Sequence, residues 1–133
     1  MKTILIIEDD KNINELLQEI LKTNGYQVIS AYSGTEALLV HNQNIDLILL
    51  DLMLPGKSGE EIITKLKEIK NVPILVTSAL SDIQKKLTLF SLGADDYLTK
   101  PFNHEELLAR IKVHLRNQNP KEKIKFFHLL RYL

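Results

Sequence analysis

The chain has 133 residues, enough to bury one sizeable hydrophobic core, and it contains no cysteine, which excludes disulfides, thiolate metal sites and cysteine nucleophiles. Its 17 basic and 17 acidic side chains cancel, so the chain lacks the basic field that non-specific nucleic-acid binding requires, and we expect this segment to bind no nucleic acid. No apolar run is long enough for a signal peptide or a membrane span, which favours a cytoplasmic protein that binds no membrane.

Five short apolar runs predict the strands of a parallel sheet. In chain order they are TILII (3–7), QVISA (27–31), DLILL (46–50), PILVT (73–77) and DYLT (96–99). The first, third and fourth runs are nearly continuous in Ile, Leu and Val rather than alternating, which is typical of parallel strands covered on both faces. Each interval between the runs has room for a helix.

The intervals carry the signals of helix starts and ends. Capping-box pairs place an oxygen three residues ahead of an acid: Ser33 with Glu36, Ser58 with Glu61, and Asn103 with Glu106. Apolar stripes have helical spacing: Leu16, Leu17, Ile20 and Leu21, then Leu107, Leu108, Ile111 and Leu115. Gly25 and Gly93 stand where left-handed helix caps are expected. The alternation predicts an α/β domain, a (βα)5 doubly wound five-stranded parallel sheet.

Polar side chains follow four of the five predicted strands. Because ligands of such sheets bind beyond the carboxyl ends of the strands, these side chains are expected to converge at one edge. They are Glu8, Asp9 and Asp10 after the first strand, Asp51 at the third, Thr77 at the fourth and Lys100 after the fifth. A lone acid at such a position usually caps a helix, and a lone threonine or lysine is usually structural or solvated. Their joint occurrence favours a site.

Neighbouring carboxylates repel one another unless a cation joins them, and Mg²⁺ prefers oxygen ligands. Asp9 and Asp51 are candidates to bind the ion directly, with Glu8 acting through water. Asp51 is then a candidate nucleophile toward phosphorus, forming an acyl phosphate. The ammonium of Lys100 and the hydroxyl of Thr77 would offset the charge on the transferring oxygens.

Two other kinds of site are disfavoured. Gly56, Lys57 and Ser58 match the end of a nucleotide-binding P-loop, but the first glycine of that motif would fall on Asp51, whose carboxylate would repel phosphate. We interpret the stretch as a turn at Pro55 and Gly56 followed by a helix cap at Ser58. The four histidines, which show no metal-ligand spacing, are expected on the surface: His41, His104, His114 and His128.

Four motifs, ILIIEDD, DLILLDLMLPGKSG, PILVTSA and GADDYLTKPF, strongly resemble the receiver domain of bacterial two-component response regulators over about residues 2–117. The resemblance implies the flavodoxin-like receiver fold. Asp51 would be the phosphoacceptor, and Glu8, Asp9 and the main-chain carbonyl of Met53 would help to bind Mg²⁺. The resemblance also implies that Thr77 is the switch hydroxyl and that Lys100 is the lysine that contacts the phosphate. It implies that Tyr97 is the aromatic switch residue and that the Lys100–Pro101 peptide bond is cis.

By this resemblance a sensor histidine kinase would transfer a phosphoryl group to Asp51, and the chain would catalyse only its own phosphorylation and dephosphorylation. GADDYLTKPF followed by EELLARIKVHLR narrows the resemblance to the OmpR/PhoB branch, whose members carry a winged-helix DNA-binding domain and dimerise through the fourth helix, fifth strand and fifth helix. The matching charged positions are Lys86, Asp95, Asp96, Glu106, Arg110 and Lys112.

Family members contact their kinase through the first helix and neighbouring loops, which implies the positions Asn12, Ile13, Asn14, Leu17 and Pro101–Phe102. A different class of function stays open, namely a stand-alone or phosphate-independent interaction module on the same fold. The complete set of acids, threonine and lysine argues against it.

The resemblance covers the receiver domain, 1–117, and leaves 118–133 as a linker, an extra C-terminal helix or the truncated start of an effector domain. Asn119, Pro120 and Glu122 resemble a helix start. An apolar stripe follows at Phe126, Leu129, Leu130 and Leu133.

Overall fold

Five strands and five helices alternate along the chain in the computed structural model, which describes residues 1–42, 44–54, 58–79 and 83–116. The strands are β1 (Thr3–Ile7), β2 (Gln27–Ala31), β3 (Leu47–Asp51), β4 (Ile74–Ser78) and β5 (Asp96–Thr99). The helices are α1 (Lys11–Thr23), α2 (Gly34–Val40), α3 (Gly59–Ile69), α4 (Ile83–Leu92) and α5 (His104–Arg116). The predicted doubly wound α/β fold is confirmed.

The strands lie in the order β2-β1-β3-β4-β5, and every pairing is parallel. The chain moves outward from β1 to β2 and then returns to the other side of β1 to form β3. The winding therefore reverses between β1 and β3, and sheets of this kind bind their ligands at such a point. The carboxyl ends of β1, β3 and β4 open side by side there.

Alternate residues of the central strands point into two separate cores. Leu5 and Ile48 pack in the core that α2, α3 and α4 cover, whereas Ile4 and Leu49 pack in the core under α1 and α5. Because both faces are covered, β1, β3 and β4 are buried along their whole length. This double burial explains their unbroken runs of Ile, Leu and Val.

The predicted helix caps are confirmed by side-chain hydrogen bonds from the third residue. The N–H groups of Glu36, Glu61 and Glu106 donate to Ser33, Ser58 and Asn103 at 3.1, 3.3 and 2.6 Å. Asp10 caps α1 in the same way, accepting from the Ile13 N–H at 3.0 Å. Gly25 and Gly93 have the expected positive φ angles, +91° and +120°.

The third and fourth strands begin and end one residue later than the sequence predicts. Asp46 lies just before β3, where its carboxylate accepts a hydrogen bond from the Thr3 N–H at 2.8 Å. Pro73 has no N–H to contribute to a ladder, so β4 begins at Ile74. The later ends bring Asp51 and Ser78 into the strands.

The predicted apolar stripe of α1 is only partly buried. Leu17 and Leu21 pack under the sheet, but Leu16 is 49% exposed and Ile20 is half-buried. The helical spacing is confirmed, and Leu16 is exposed because it lies about 100° around the helix from Leu17, away from the sheet.

Two histidines that were expected on the surface are buried. His41 Nε2 lies 3.2 Å from the Lys70 carbonyl oxygen, and His114 Nε2 lies 3.1 Å from Asp96 Oδ2. Burial also lowers the pKa of His41. The Nε2 atom of each buried ring thus has a polar partner inside the fold. His104 is exposed as expected, and His128 lies outside the described residues.

The predicted linker or extra helix at 118–133 also lies outside the described residues, so the domain division stays a prediction. In the part of the chain that the structure describes, none of the helices is long and apolar enough to cross a membrane.

Candidate functional site

Three carboxylates meet at the carboxyl edge of the sheet. Glu8 follows β1, Asp9 comes next and Asp51 ends β3, and one oxygen of each lies within 4.8 Å of the others. Glu8 is 2% exposed and Asp51 is 6% exposed, whereas Asp9 is open to solvent. The structure thus brings together the three acids that the sequence singled out, because β1 and β3 are parallel neighbours.

Asp51 is held at the junction of β3 and the loop that follows. Its register partner on β4 is Thr77, and the Leu52 N–H donates to the Thr77 carbonyl at 2.9 Å. The Met53 N–H donates to Asp51 Oδ1 at 3.2 Å, while the Met53 side chain points outward and is 60% exposed. The Thr77 side chain is buried beside the acid-bearing strand end.

Lys100 reaches the acids from the far side of β4. Its N–H donates to the Ser78 carbonyl at 2.7 Å, which fixes its backbone at the end of β5. Its ammonium lies 3.3 Å from Glu8 Oε1 and 3.5 Å from Asp51 Oδ1. The peptide bond to Pro101 is cis, as the resemblance implied. One cation therefore faces two nearly buried carboxylates.

Burial and the neighbouring acid Asp51 shift the pKa of Glu8. Burial is the main reason that the pKa of Glu8 rises from 4.5 to about 7, and the hydrogen bond and negative charge of Asp51 raise it further. The Asp10 N–H, which donates to Glu8 Oε2 at 3.2 Å, and the Lys100 ammonium act in the opposite direction. Within this group, excess negative charge is compensated only in part.

The donor set fits a magnesium ion. Mg²⁺ is bound through carboxylate oxygens and keeps several of its waters. Two of the three acids are buried, which fixes their positions, and the exposed Asp9 leaves the cluster accessible to water. A divalent cation would also compensate the uncancelled negative charge around Glu8.

Tyr97, the aromatic position implied by the resemblance, lies on β5 and is buried in the core under α2, α3 and α4. Its register partner is Val76, next to Thr77 on β4. The ammonium of Lys86 on α4 lies 5.0 Å from the centre of the tyrosine ring, within the range of a cation–π interaction. The ring is thus packed in this core and makes a cation–π interaction with Lys86 of α4.

The six charged positions of the α4, β5 and α5 face do not form one exposed patch. Lys86 is half-buried over Tyr97, and Glu106 and Lys112 are exposed. Asp95 accepts hydrogen bonds from Lys67 Nζ of α3 at 2.8 Å and from the Ile74 N–H at 2.9 Å. Its carboxylate therefore faces α3 and the start of β4.

Asp96 is the clearest departure from a surface charge. It is 1% exposed, and its oxygens accept from Arg110 Nη1 at 2.8 Å and contact His114 Nε2 at 3.1 Å. Arg110 Nε also lies 3.5 Å from Glu106 Oε1. Asp96, which the resemblance implied as a charged position of the dimer face, is not available to a second copy, because α5 packs over β5 and encloses the carboxylate.

Only some of the positions implied for kinase contact are accessible at the surface. Asn12, Ile13 and Pro101 are exposed and Phe102 is half-buried, but Asn14 and Leu17 are buried in the fold and are not available to a partner. An apolar cleft of about 430 Å³ separates α1 from the loop after β5. Its lining includes Ile13, Leu16, Ile20, Pro101 and Phe102.

Asn14 has a structural role that the sequence reasoning missed. Its side-chain amide donates to the Glu8 carbonyl at 2.9 Å, directly behind the carboxylate cluster. The sequence spacing indicates this burial, because Asn14 stands three residues before Leu17 and seven before Leu21, on the buried side of the helix. A polar residue in an apolar stripe requires internal hydrogen-bond partners.

A family model described as "Response regulator receiver domain" matches residues 4–112. The transcriptional regulatory protein YrkP of Bacillus subtilis is 45% identical over 113 residues, which cover 85% of this chain and 49% of YrkP. CpxR of Escherichia coli, also a transcriptional regulatory protein, is 39% identical over 122 residues, which cover 92% of this chain and 53% of CpxR. The chain spans about half the length of these relatives.

Solved structures share the fold. A two-component response regulator from Clostridium difficile aligns with a TM-score of 0.84 and 32% identity over 90% of this chain and 99% of that one. DrrB, described as a Thermotoga maritima OmpR/PhoB homolog, aligns with a TM-score of 0.80 and 38% identity over 90% of this chain and 54% of that one. The resemblance drawn from the four motifs is confirmed, and the turn predicted at Pro55 and Gly56 lies outside the described residues.

Glu8→Gln is expected to raise the free energy of unfolding of the metal-free protein near pH 8 by about 1 to 3 kcal/mol. Because folding raises the pKa of Glu8 from 4.5 to about 7, the folded state binds its proton more tightly than the unfolded state does. The stability gained from this protonation is complete below pH 4.5 and is lost as the pH rises through 7. The substitution should therefore have little effect near pH 4.

Urea denaturation in EDTA at both pH values measures the difference. Glu19→Gln, which neutralises an exposed acid of α1, is the matched control and should leave the free energy of unfolding unchanged at both pH values. A Glu8→Gln protein that is no more stable than the wild type near pH 8 would contradict the assigned electrostatics.

Proposed function

This chain belongs to the response regulator receiver family, and from that premise we propose that it is a phosphorylation-dependent signalling switch with Asp51 as the phosphoacceptor. The observation that carries the proposal is the setting of this carboxylate. Asp51 ends β3 nearly buried, two further acids lie within 4.8 Å, and the Lys100 ammonium lies 3.5 Å away. A carboxylate beside cationic groups is a competent nucleophile toward phosphorus.

In this proposal Glu8, Asp9 and Asp51 hold Mg²⁺, and the main-chain carbonyl of Met53 is a further ligand. When bound, the ion supplies positive charge that stabilises the oxygens of the transferring phosphoryl group. The three acids provide the oxygen donors, and the Met53 backbone is already drawn toward the site by its hydrogen bond to Asp51.

The donor is a phosphohistidine of a sensor histidine kinase. A carboxylate oxygen of Asp51 attacks phosphorus, and the new P–O bond forms as the P–N bond breaks. The electron pair of the broken bond stays on the imidazole nitrogen. In this proposal Lys100 and the Thr77 hydroxyl donate hydrogen bonds to the phosphoryl oxygens. The chain catalyses only this modification of itself and its removal, in which water hydrolyses the acyl phosphate to the Asp51 carboxylate and inorganic phosphate.

Phosphorylation changes the site by a local charge event. It adds about two negative charges and three strong hydrogen-bond acceptors. Thr77 moves toward the new acceptors, which leaves space behind it for Tyr97. Since Tyr97 packs on β5 under the Lys86 cation, its movement alters the face formed by α4, β5 and α5. The phosphoryl group thus biases an equilibrium between two conformations.

We assign the α4, β5 and α5 face to a homodimer of the phosphorylated chain. Lys86, Glu106 and Lys112 supply its accessible charges, and Ile83 and Leu87 of α4 add exposed apolar surface. Because the chain spans about half of relatives described as transcriptional regulators, dimerisation in the whole protein would control transcription through an effector domain. The balanced charge of the chain supports a segment that binds no nucleic acid itself.

The apolar cleft between α1 and the loop after β5 is the proposed kinase-docking surface. Ile13 and Leu16 are exposed on its α1 side, and Pro101 and Phe102 form the opposite side. Lys100 belongs to the same lining, so a kinase seated there would have its phosphohistidine next to Asp51.

Incubation with Mg²⁺ and acetyl phosphate is expected to add one phosphate to the wild-type chain, as measured by intact mass. Asp51→Asn should abolish the adduct because the amide cannot act as the nucleophile. Asp46→Asn is the matched control, since Asp46 lies at the opposite edge of the sheet and an asparagine oxygen can still accept from the Thr3 N–H. No adduct on the wild type, or one that persists in Asp51→Asn, would refute the proposed function and favour a phosphate-independent module.

Lys86→Glu is expected to weaken the dimer of the acetyl-phosphate-treated chain about tenfold. The substitution places an acid where Glu106 of a second copy should find a cation, and it removes the interaction with Tyr97. Sedimentation velocity measures the dissociation constant. Lys65→Glu reverses an exposed charge on α3 and should leave the dimer intact. Equal dimerisation of both variants would argue against this face.

Leu16→Asp is expected to slow transfer from an autophosphorylated sensor kinase that labels the wild type by at least about tenfold. Labelling by acetyl phosphate, which needs no docking surface, should be unchanged. Leu39→Asp alters an exposed leucine of α2 and should leave kinase transfer at the wild-type rate. Normal kinase transfer to Leu16→Asp would place the docking surface elsewhere.

A further inference from the structure

Asn14 lies in the first turns of α1 and is fully buried between that helix and the ends of β1 and β2. Its Nδ2 donates to the Glu8 carbonyl at 2.9 Å and approaches the Ala31 carbonyl at 3.4 Å. Its Oδ1 accepts from Ser30 Oγ at 2.8 Å and from Gln18 Nε2 at 2.9 Å. A primary amide has two donor hydrogens and two acceptor lone pairs, and here all four are used.

The bond to Glu8 is the one that bears on the carboxylate cluster. The Glu8 N–H donates to the Ala31 carbonyl at 3.1 Å, and Glu8 Oε2 accepts from the Asp10 N–H at 3.2 Å. Asn14 binds the remaining main-chain group, the Glu8 carbonyl. This carbonyl belongs to the peptide unit that joins Glu8 to Asp9, so fixing it fixes the direction in which both acids leave the backbone.

We propose that Asn14 is a positioning residue that orients the Glu8–Asp9 peptide for metal binding, an inference that rests on the proposed role of these acids as Mg²⁺ ligands. Mg²⁺ demands near-ideal octahedral geometry, which makes its affinity sensitive to small displacements of a ligand. Groups that orient metal ligands from behind commonly change metal affinity by about tenfold or more when they are replaced.

The competing account is that Asn14 merely satisfies polar groups inside the fold. Under that account the loss of any of its bonds has the same kind of effect, a decrease in stability without a change in metal affinity. Ser30 separates the two accounts because it bonds to the same amide but does not touch the Glu8 carbonyl.

The test compares Asn14→Leu, which keeps the approximate shape but removes every hydrogen bond, with the matched control Ser30→Ala. Binding of MgCl₂ is followed by ¹H–¹⁵N NMR shifts of the Asp10 and Met53 amides in the full chain. Asn14→Leu is expected to raise the dissociation constant about tenfold, and Ser30→Ala is expected to stay within about twofold of the wild type. In the metal-free protein, hydrogen exchange of the Asp10 amide should accelerate in Asn14→Leu and not in Ser30→Ala.

If the wild type binds Mg²⁺ and Asn14→Leu binds it with unchanged affinity, this inference alone is overturned. An equal loss of Mg²⁺ affinity in Ser30→Ala would also overturn it. Absence of Mg²⁺-dependent shifts in the wild type would overturn the proposed metal site and the inference with it. Should leucine prevent folding, Asn14→Ala leaves room for water at the site and is judged by the same criteria.

Discussion

Two nearly buried carboxylates, Glu8 and Asp51, lie next to each other with one ammonium between them and solvent. Burial of like charges is unfavourable, and burial is the main cause of the raised pKa of Glu8, which the Lys100 ammonium 3.3 Å away opposes. The arrangement persists because it follows from the winding of the sheet. Once β1 and β3 are parallel neighbours, their carboxyl ends coincide, and the acids at these ends cannot separate without disrupting the core strands.

Helix α3 connects the carboxylate site to the rest of the domain. This helix begins a few residues after Asp51, and Glu60 in its first turn pairs with Lys85 of α4. Near its other end Lys67 pairs with Asp95 at 2.8 Å, at the start of β5. Both ion pairs are partly buried, so α3 is tied to α4 and to the residue that precedes β5, the strand that carries Tyr97. Two ion pairs as well as packing therefore link α3 to its neighbours.

The sequence was sufficient for features that depend on local patterns. Continuous apolar strands, side-chain caps and polar residues at strand ends are each encoded within a few residues, and the strand-end rule then gathers Glu8, Asp51 and Lys100 without knowledge of any contact. The burial of Asp96 and His114 could not be predicted in this way. It depends on how α5 packs across β5, which only the tertiary structure determines. The exposure of Leu16 has the same origin, because a stripe of four apolar residues does not reveal how much of it the sheet can cover.

The arginine on α5 has a further consequence for self-association. Arg110 already bonds to Asp96 and lies beside Glu106 in its own chain, and His114 closes the other side of Asp96. A second copy that approached this face would find Arg110 already paired. Any contact it makes with Arg110 must replace one that exists already, so the gain is the difference between two similar bonds. Arg110 is therefore committed to partners within its own subunit.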